Sequence, residues 1–415
     1  MRISINGKLL LSLSLMMPVV SAEAQDCWNE MNPVSYAVSS LAIAPDARSA
    51  GLGDVGAATD PDVNSQYWNP AKYPFCISRA GVSLNYTPWL RQLVSGIDLA
   101  NLTGYYRLGE YDALSASLRY FSLGEVIVSG TDETINPYEM AVDFAYSRML
   151  SETFSAAVGL RFIYSDLSTH DDENTPGSAF AADVALYHNG YINLGHRECQ
   201  LSWGLNISNI GSKISYNDGN TSEFIPTNMR LGIALLTPID EYNTITFAVD
   251  ANKLLVPTMP TYKQFIEEYA EDYISGSFDA SMKDTYISTG TFQSDYNNWL
   301  NSEGYYGVSP ISGIFKSFSD APNGFKEELQ EIQWSAGLEY AYNNQFFLRA
   351  GYHYEHPNKG NRKYFTIGAG FKMNVFSIDA GYVISTAQSN PLDQTLRFSL
   401  SFDMDGIQDL LGKRR

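Results

Sequence analysis

The stretch 47–71, ARSAGLGDVGAATDPDVNSQYWNPA, decides how this chain is read. It is rich in Gly and Ala, low in charge, and closed by Trp68-Asn69-Pro70-Ala71. Gly51, Gly53 and Gly56 follow at intervals of two and three residues, which suits backbone that passes close to other backbone and adopts positive φ. An ordinary glycine-rich loop satisfies the same local pattern. The sharper reading is a folded segment packed inside something that surrounds it. The rest of the chain separates the two, because everything after residue 80 reads as one large closed sheet.

From residue 81 the hydrophobic period is two. Val142, Phe144 and Tyr146 alternate with Ala141, Asp143, Ala145 and Ser147; Leu396, Phe398, Leu400 and Phe402 alternate with Thr395, Arg397, Ser399 and Ser401. One apolar and one small or polar face is the pattern of a half-buried strand. Strands are expected near 81–87, 96–107, 112–121, 139–149, 154–165, 179–188, 200–209, 228–236, 243–251, 333–342, 346–354, 363–372, 375–384 and 394–403. Repeated runs of about ten residues, even in number, are what a transmembrane β-barrel needs. The connections alternate between short and long, with 189–199 the awkward case. A barrel sorts its connections by side, whereas a soluble sandwich has no reason to.

Composition agrees. Aromatics are 13% of the 415 residues and charged residues only 18%, a balance that suits an apolar outer wall with aromatic girdles. Residues 1–24 read as a secretory signal, with Arg2 and Lys8, an apolar core, and Ala22-Glu23-Ala24 as cleavage site. The whole chain carries −19; removing that segment, whose own charge is +1, leaves −20, which argues against nucleic acid as a partner. Residues 25–80, with five prolines, read as an irregular N-terminal segment. Cys27 and Cys76 flank the opening stretch, and a disulfide between them would clip it closed.

The insert 252–332 is the largest connection, and loops of that length tend to be functional. Tyr262, Phe265, Ile266, Tyr269 and Tyr273 fall at helical spacing. A second helix is expected over 323–332, with Phe325 and Leu329 inward and Asn323 as cap. Phe265, Tyr269, Tyr305, Tyr306, Phe315 and Phe318 are the candidate partner-binding residues. The tail 405–415 leaves the sheet.

No catalytic constellation stands out: G-x-S-x-G, HExxH and P-loop patterns do not occur. No metal site and no cofactor is expected; His353 and His356 would leave a strand on opposite faces. The charges on strand faces carry more information. Asp143, Arg161, Asp183, Arg230, Asp250, Glu339, Arg349, Asp379 and Arg397 should face the lumen, since a lipid-facing Arg or Lys at mid-bilayer costs roughly 2–4 kcal/mol. They are placed to pair across the interior or to hold the N-terminal segment, which favours a plugged barrel over an open pore.

With a barrel in place, the opening stretch resembles the N-terminal signature of the FadL-like superfamily, ARxxGxGxAxxA…D…NPA before fourteen strands. Ala47, Arg48, Gly51, Gly53, Ala58, Asp62, Asn69, Pro70 and Ala71 match it. Arg48, Gly51, Gly53, Asp62, Asn69 and Pro70 are the plug-motif residues. Within the superfamily the WNPAKY ending, RAGVSLNYTPWL and DFAYSRMLSETFSAAVGLRFIYSDL resemble the PorV (LptO) family of the Bacteroidetes type IX secretion system.

The resemblance implies an all-β transmembrane β-barrel of about 14 antiparallel strands in the outer membrane. Residues 25–80 would plug it, 81–404 form it, 252–332 make a long, partly helical extracellular loop, and both termini lie in the periplasm. It implies a non-enzymatic protein whose partners are the type IX translocon pore protein, the C-terminal domains of secreted cargo, the sortase of the attachment complex, and outer-membrane lipid. The superfamily signature equally fits a transporter of hydrophobic small molecules. An enzyme is a third reading, without a recognisable nucleophile and base.

Overall fold

A computed structural model describes residues 32–90, 96–127, 134–167, 175–217, 221–260, 265, 290–302, 304–386 and 395–410. Fourteen antiparallel strands close into a barrel. They are β1 (Ala80–Pro88), β2 (Ile97–Arg107), β3 (Asp112–Leu123), β4 (Tyr138–Ser151), β5 (Phe154–Asp166), β6 (Gly177–Leu194), β7 (Arg197–Gly211), β8 (Asn228–Pro238), β9 (Asn243–Leu254), β10 (Gln333–Tyr342), β11 (Phe346–Tyr354), β12 (Lys363–Lys372), β13 (Phe376–Ser385) and β14 (Leu396–Asp403). Each pairs with the next in the chain, and β14 returns to β1, with Gly81 opposite Asp403 and Tyr86 opposite Phe398. Closure leaves no strand edge unpaired.

The alternation is inverted relative to a water-soluble fold. On β4, Phe144 is 63% exposed while Asp143 and Ser147 are buried. On β5, Leu160 is 68% exposed beside buried Arg161. Large apolar side chains point outward and small or charged ones inward. Only a wall surrounded by hydrocarbon makes that arrangement favourable, since every backbone polar group is satisfied within the closed sheet. Among the described residues no helix is long and apolar enough to cross a membrane.

The connections sort by end. Short turns at 108–111, 152–153, 195–196, 239–242, 343–345 and 373–375 lie at one end; the long ones at 89–96, 124–137, 167–176, 212–227, 255–332, 355–362 and 386–395 lie at the other. The awkward segment 189–199 resolves as the tops of β6 and β7, joined by a two-residue turn at Gly195-His196. The loop after β3 carries a two-stranded ribbon, Val126–Ile127 with Thr134–Ile135.

The largest loop begins at 255 rather than 252, because β9 continues through Leu254. After α1 (Ala47–Gly51) and α2 (Ser65–Trp68) of the N-terminal segment, the described helices of this loop are α3 (Gly290–Ser302), α4 (Pro310–Lys316) and α5 (Phe325–Gln330). It has a core of its own around Phe265, whose ring centroid lies 5.5 Å from Tyr296 and 5.4 Å from Trp299. After β14 the chain forms a last helix, Met404–Leu410, capped by Asp403 accepting from the Asp405 amide at 3.0 Å. The tail thus begins as a helix. The signal segment, Cys27 and most of the helix expected over 262–273 lie outside the described residues.

Candidate functional site

Two regions are built with more polar machinery than the fold needs: the lumen, filled by the N-terminal segment, and the rim of the largest loop.

In the lumen, the helix Ala47–Gly51 is capped by Asp46, which accepts from the Ser49 amide at 2.9 Å. The second oxygen of Asp46 accepts from Trp68 Nε1 at 2.5 Å, tying this helix to the next one, Ser65–Trp68. Asn69 caps the following 3₁₀ turn at Ala71 N, 3.0 Å away, while its amide nitrogen donates to the carbonyls of Ala57 at 3.0 Å and Leu186 at 2.9 Å. Pro70 opens that turn, where a missing N–H costs nothing. The glycines act through space. Gly53 has φ +75°, and a Cβ there would stand 2.6 Å from Tyr352 N of the wall. A Cβ on Gly56 would meet the Trp68 ring, and one on Gly51 would stand 2.9 Å from Gly368 Cα.

The wall's inward charges hold this segment. All nine residues expected in the lumen are buried. Arg48 Nη2 donates to Glu339 at 3.0 Å and its Nη1 to Asp62 at 2.8 Å. Glu339 also pairs with Arg349, at 2.6 Å, and Arg349 continues to Asp379 at 2.6 Å. Asp250 accepts from the amides of Gly56 at 2.8 Å and Ala57 at 2.9 Å. Arg397 pairs with Asp54 of the segment at 2.7 Å. Arg230 lies over the Trp68 ring, 4.5 Å from its centroid. Only the Arg161 group, joined to Asp143 and to Asp183 at 2.9 Å, is confined to the wall. The charges therefore both pair across the interior and grip the segment. Arg119 belongs to the same set though sequence reading passed over it: it donates to the carbonyls of Ser40 and of Ile43, the latter at 2.8 Å. Its position two residues after Ser117 on the inward face of β3 was the available signal.

Two cavities remain beside the segment: one of about 70 Å³, lined by Tyr36, Tyr67, Arg119, Arg230 and Tyr364 among others, and one of about 320 Å³ toward the short-turn end, lined by Arg48, Asp62, Glu339, Arg349 and Asp379 among others. The smaller has room for ordered water only. The arrangement can anchor a segment; its one described serine–histidine contact, Ser335 Oγ to His353 Nδ1 at 2.9 Å, is buried in the inner face of the wall. Cys76 is buried and bridges no described residue.

At the rim, the candidate partner residues divide. Phe265 and Tyr305 are buried in the loop core, and Tyr305 Oη donates to the Ser35 carbonyl at 2.7 Å. Tyr306 is half-buried, and Tyr269 lies outside the described residues. Phe315 is 73% exposed and Phe318 is exposed beside it in sequence, with Ile311 exposed on the same helix. The expected inward face of the 323–332 helix is reversed. Phe325 and Leu329 point outward, while Glu327, Glu328 and the following Glu331 are buried. Asn323 is not the cap; it donates to Glu327, 2.8 Å from its side-chain nitrogen.

The buried acids meet two lysines of the rim. Lys253 lies 3.0 Å from Glu328 and 2.5 Å from Glu331; Lys359 lies 2.5 Å from Glu327 and 3.0 Å from Glu331. Burial alone would raise the Glu327 carboxyl, but Lys359 outweighs it and holds the group below its usual range. Asp320, beside this cluster, has no such cation in contact among the described residues. Burial, with Glu328 and Glu331 nearby, pushes it up to about 7 although it accepts from the Thr258 amide.

Comparison with known families decides the assignment. The family model described as "Type IX secretion system protein PorV" matches residues 26–261, more than half of the chain. The chain belongs to the PorV family. It is accordingly an outer-membrane β-barrel component of type IX secretion, and its fold and family are those of a non-enzymatic secretion or transport component. No curated protein matches it. Similar solved structures include the Ralstonia pickettii toluene transporter TbuX, at 10% identity and TM-score 0.43, covering 86% of this chain and 97% of that one. A Pseudomonas aeruginosa FadL homologue has 10% identity and TM-score 0.42, covering 86% and 98%. The Pseudomonas putida toluene transporter TodX has 10% identity and TM-score 0.44, covering 85% and 96%.

Proposed function

We propose that this PorV-family barrel receives secreted cargo by its C-terminal signal domain at the translocon pore protein and passes it to the sortase of the surface attachment complex. In this reading the short turns and both termini are periplasmic and the 255–332 loop is extracellular. The barrel conducts nothing; it is a rigid, membrane-held stand for the loop.

The observation that carries the reading is the exposure of Ile311 and Phe315 on α4, above a loop that already has its own aromatic core. Large apolar side chains left over after a core is complete mark an interaction surface. The anchored segment supports the same view. A lumen held by Arg48–Glu339, Asp54–Arg397 and the Asp250 amide contacts is stapled at several separate points of the wall. The transporter reading has less support, since buried charged groups line the space that is left, Arg119 and Arg230 in one cavity and Arg48, Glu339 and Arg349 in the other.

The test is affinity capture from detergent-solubilised outer membrane, comparing the intact protein with one lacking residues 262–320. The proposal expects translocon, cargo or sortase with the intact protein and their loss on deletion. Fatty acid or other lipid co-purifying with both forms, and no protein partner with either, would replace it with transport.

A further inference from the structure

We propose that helix α5 is a membrane-interface anchor, with Phe325 and Leu329 seated in the lipid beside the barrel wall. The two side chains are four residues apart, so they share one face of the helix. Phe325 is 75% exposed, more than Phe144 or Leu160 on the lipid-facing wall.

The position of α5 follows from Lys253. On β9, Phe247 points outward and is exposed. Lys253 is six residues further, so alternation places it on the same outer side. The ladder to β8 is regular through Met229 opposite Lys253 and Asn228 opposite Leu254, so no bulge reverses that parity. Yet Lys253 is buried. What covers it is α5 and its C-terminal turn, through Glu328 at 3.0 Å and Glu331 at 2.5 Å. The helix therefore sits on the long-loop rim at the outer side of β9, acidic face toward the barrel, with Glu331 also reaching the mouth beside Lys359 and Tyr36. Its apolar face turns away from the barrel.

That apolar face continues an interface already present. Three residues after α5 the chain enters β10, whose Trp334 points outward and is exposed. Trp334 stands opposite Tyr354 on β11, and the neighbouring outward rings of Tyr352 and Phe365 lie 4.7 Å apart. Aromatic rings at the rim of an apolar wall mark the level of the lipid headgroups. An amphipathic helix at that level buries its apolar side in the headgroup–acyl boundary. Lys326, exposed between the two apolar residues in sequence, is suited to a lipid phosphate. The ion pairs to Lys253 and Lys359 then fix the height of the loop above the membrane. This does not depend on which protein the loop binds.

The experiment places a nitroxide at Phe325→Cys and, separately, at Leu329→Cys in the full chain, on a Cys27→Ser background in which Cys76 and Cys199 are buried. The protein is reconstituted in vesicles of phosphatidylethanolamine and phosphatidylglycerol, and folding is checked by its heat-dependent gel shift. Accessibility to oxygen and to a water-soluble nickel chelate is compared with Leu348→Cys on the outer wall and Ser319→Cys on the loop surface. The expected oxygen-to-nickel ratio at both positions matches that at 348 and is severalfold above that at 319. A ratio equal to that at 319 overturns the proposal. So does a label shielded from both reagents, which would mean protein contact instead.

Discussion

Arg48 and Glu339 are 291 residues apart in the chain and 3.0 Å apart in space, and their contact joins the N-terminal segment to the barrel wall. Arg48 also holds Asp62 within the segment at 2.8 Å. Arg48→Ala leaves Glu339 with Arg349 but strips Asp62 of its cation. The expected cost is about 3 kcal/mol, at the lower end for a broken buried pair because Asp62 keeps some contact with water. A drop in the temperature of the heat-dependent gel shift, with faster protease cleavage between residues 32 and 76, measures it. Arg48→Lys should recover only part of the loss, since an ammonium cannot fork between two carboxylates.

Gly53→Ala and Gly56→Ala should each release the segment from the wall. At Gly53 the positive φ alone costs ~1–2 kcal/mol in any other residue, before the clash with Tyr352 backbone is counted. Gly109→Ala is the control, since a Cβ there meets nothing within 4 Å. Protease accessibility of the segment should rise for the first two and stay unchanged for the third.

If the segment fills the lumen, current through a planar bilayer should be negligible for the full chain and appear on deletion of residues 47–71. Sustained conductance by the intact protein would contradict the reading of the lumen as closed.

The barrel was legible because each strand alternates over nearly its whole length, and charge parity alone placed Asp143, Arg161, Glu339 and Arg397 inside. The hairpin at 189–199 was not, because β6 and β7 run 18 and 15 residues. Beyond the apolar band both faces turn polar, as in Asn189, Asn193 and Glu198, and the period disappears. Helix α5 was read inside out for a related reason. Burial of Phe325 and Leu329 presumes an apolar core beneath the helix, whereas here Lys253 and Lys359 of the rim draw Glu327, Glu328 and Glu331 inward. That is tertiary information, carried by two lysines more than 100 residues apart. The plug motif was recognisable as a pattern, but the wall atoms that make its glycines obligatory come from strands some 300 residues later.

Asp320 gives the rim a pH dependence. Its carboxyl is raised by burial from 3.8 to about 7. Below pH 4 both folded and unfolded loop bind the proton, and the group is neutral in its effect. Between about 4 and 7 the unfolded loop releases it first, so stability falls as pH rises, and the full cost stands above pH 7. Asp320→Asn should therefore slow proteolysis of the loop at pH 8 and change it little at pH 4. Equal effects at both values would remove Asp320 as the cause.

The central claim is that the exposed face of α4 receives cargo. The most direct measurement replaces Phe315 with a photo-crosslinking phenylalanine analogue, with the same analogue at buried Tyr305 as reference, and irradiates each protein with a purified cargo C-terminal signal domain. The account predicts an adduct from position 315, absent from 305 and competed by unlabelled signal domain. No adduct from 315, or one formed equally with a domain lacking the signal, would contradict it.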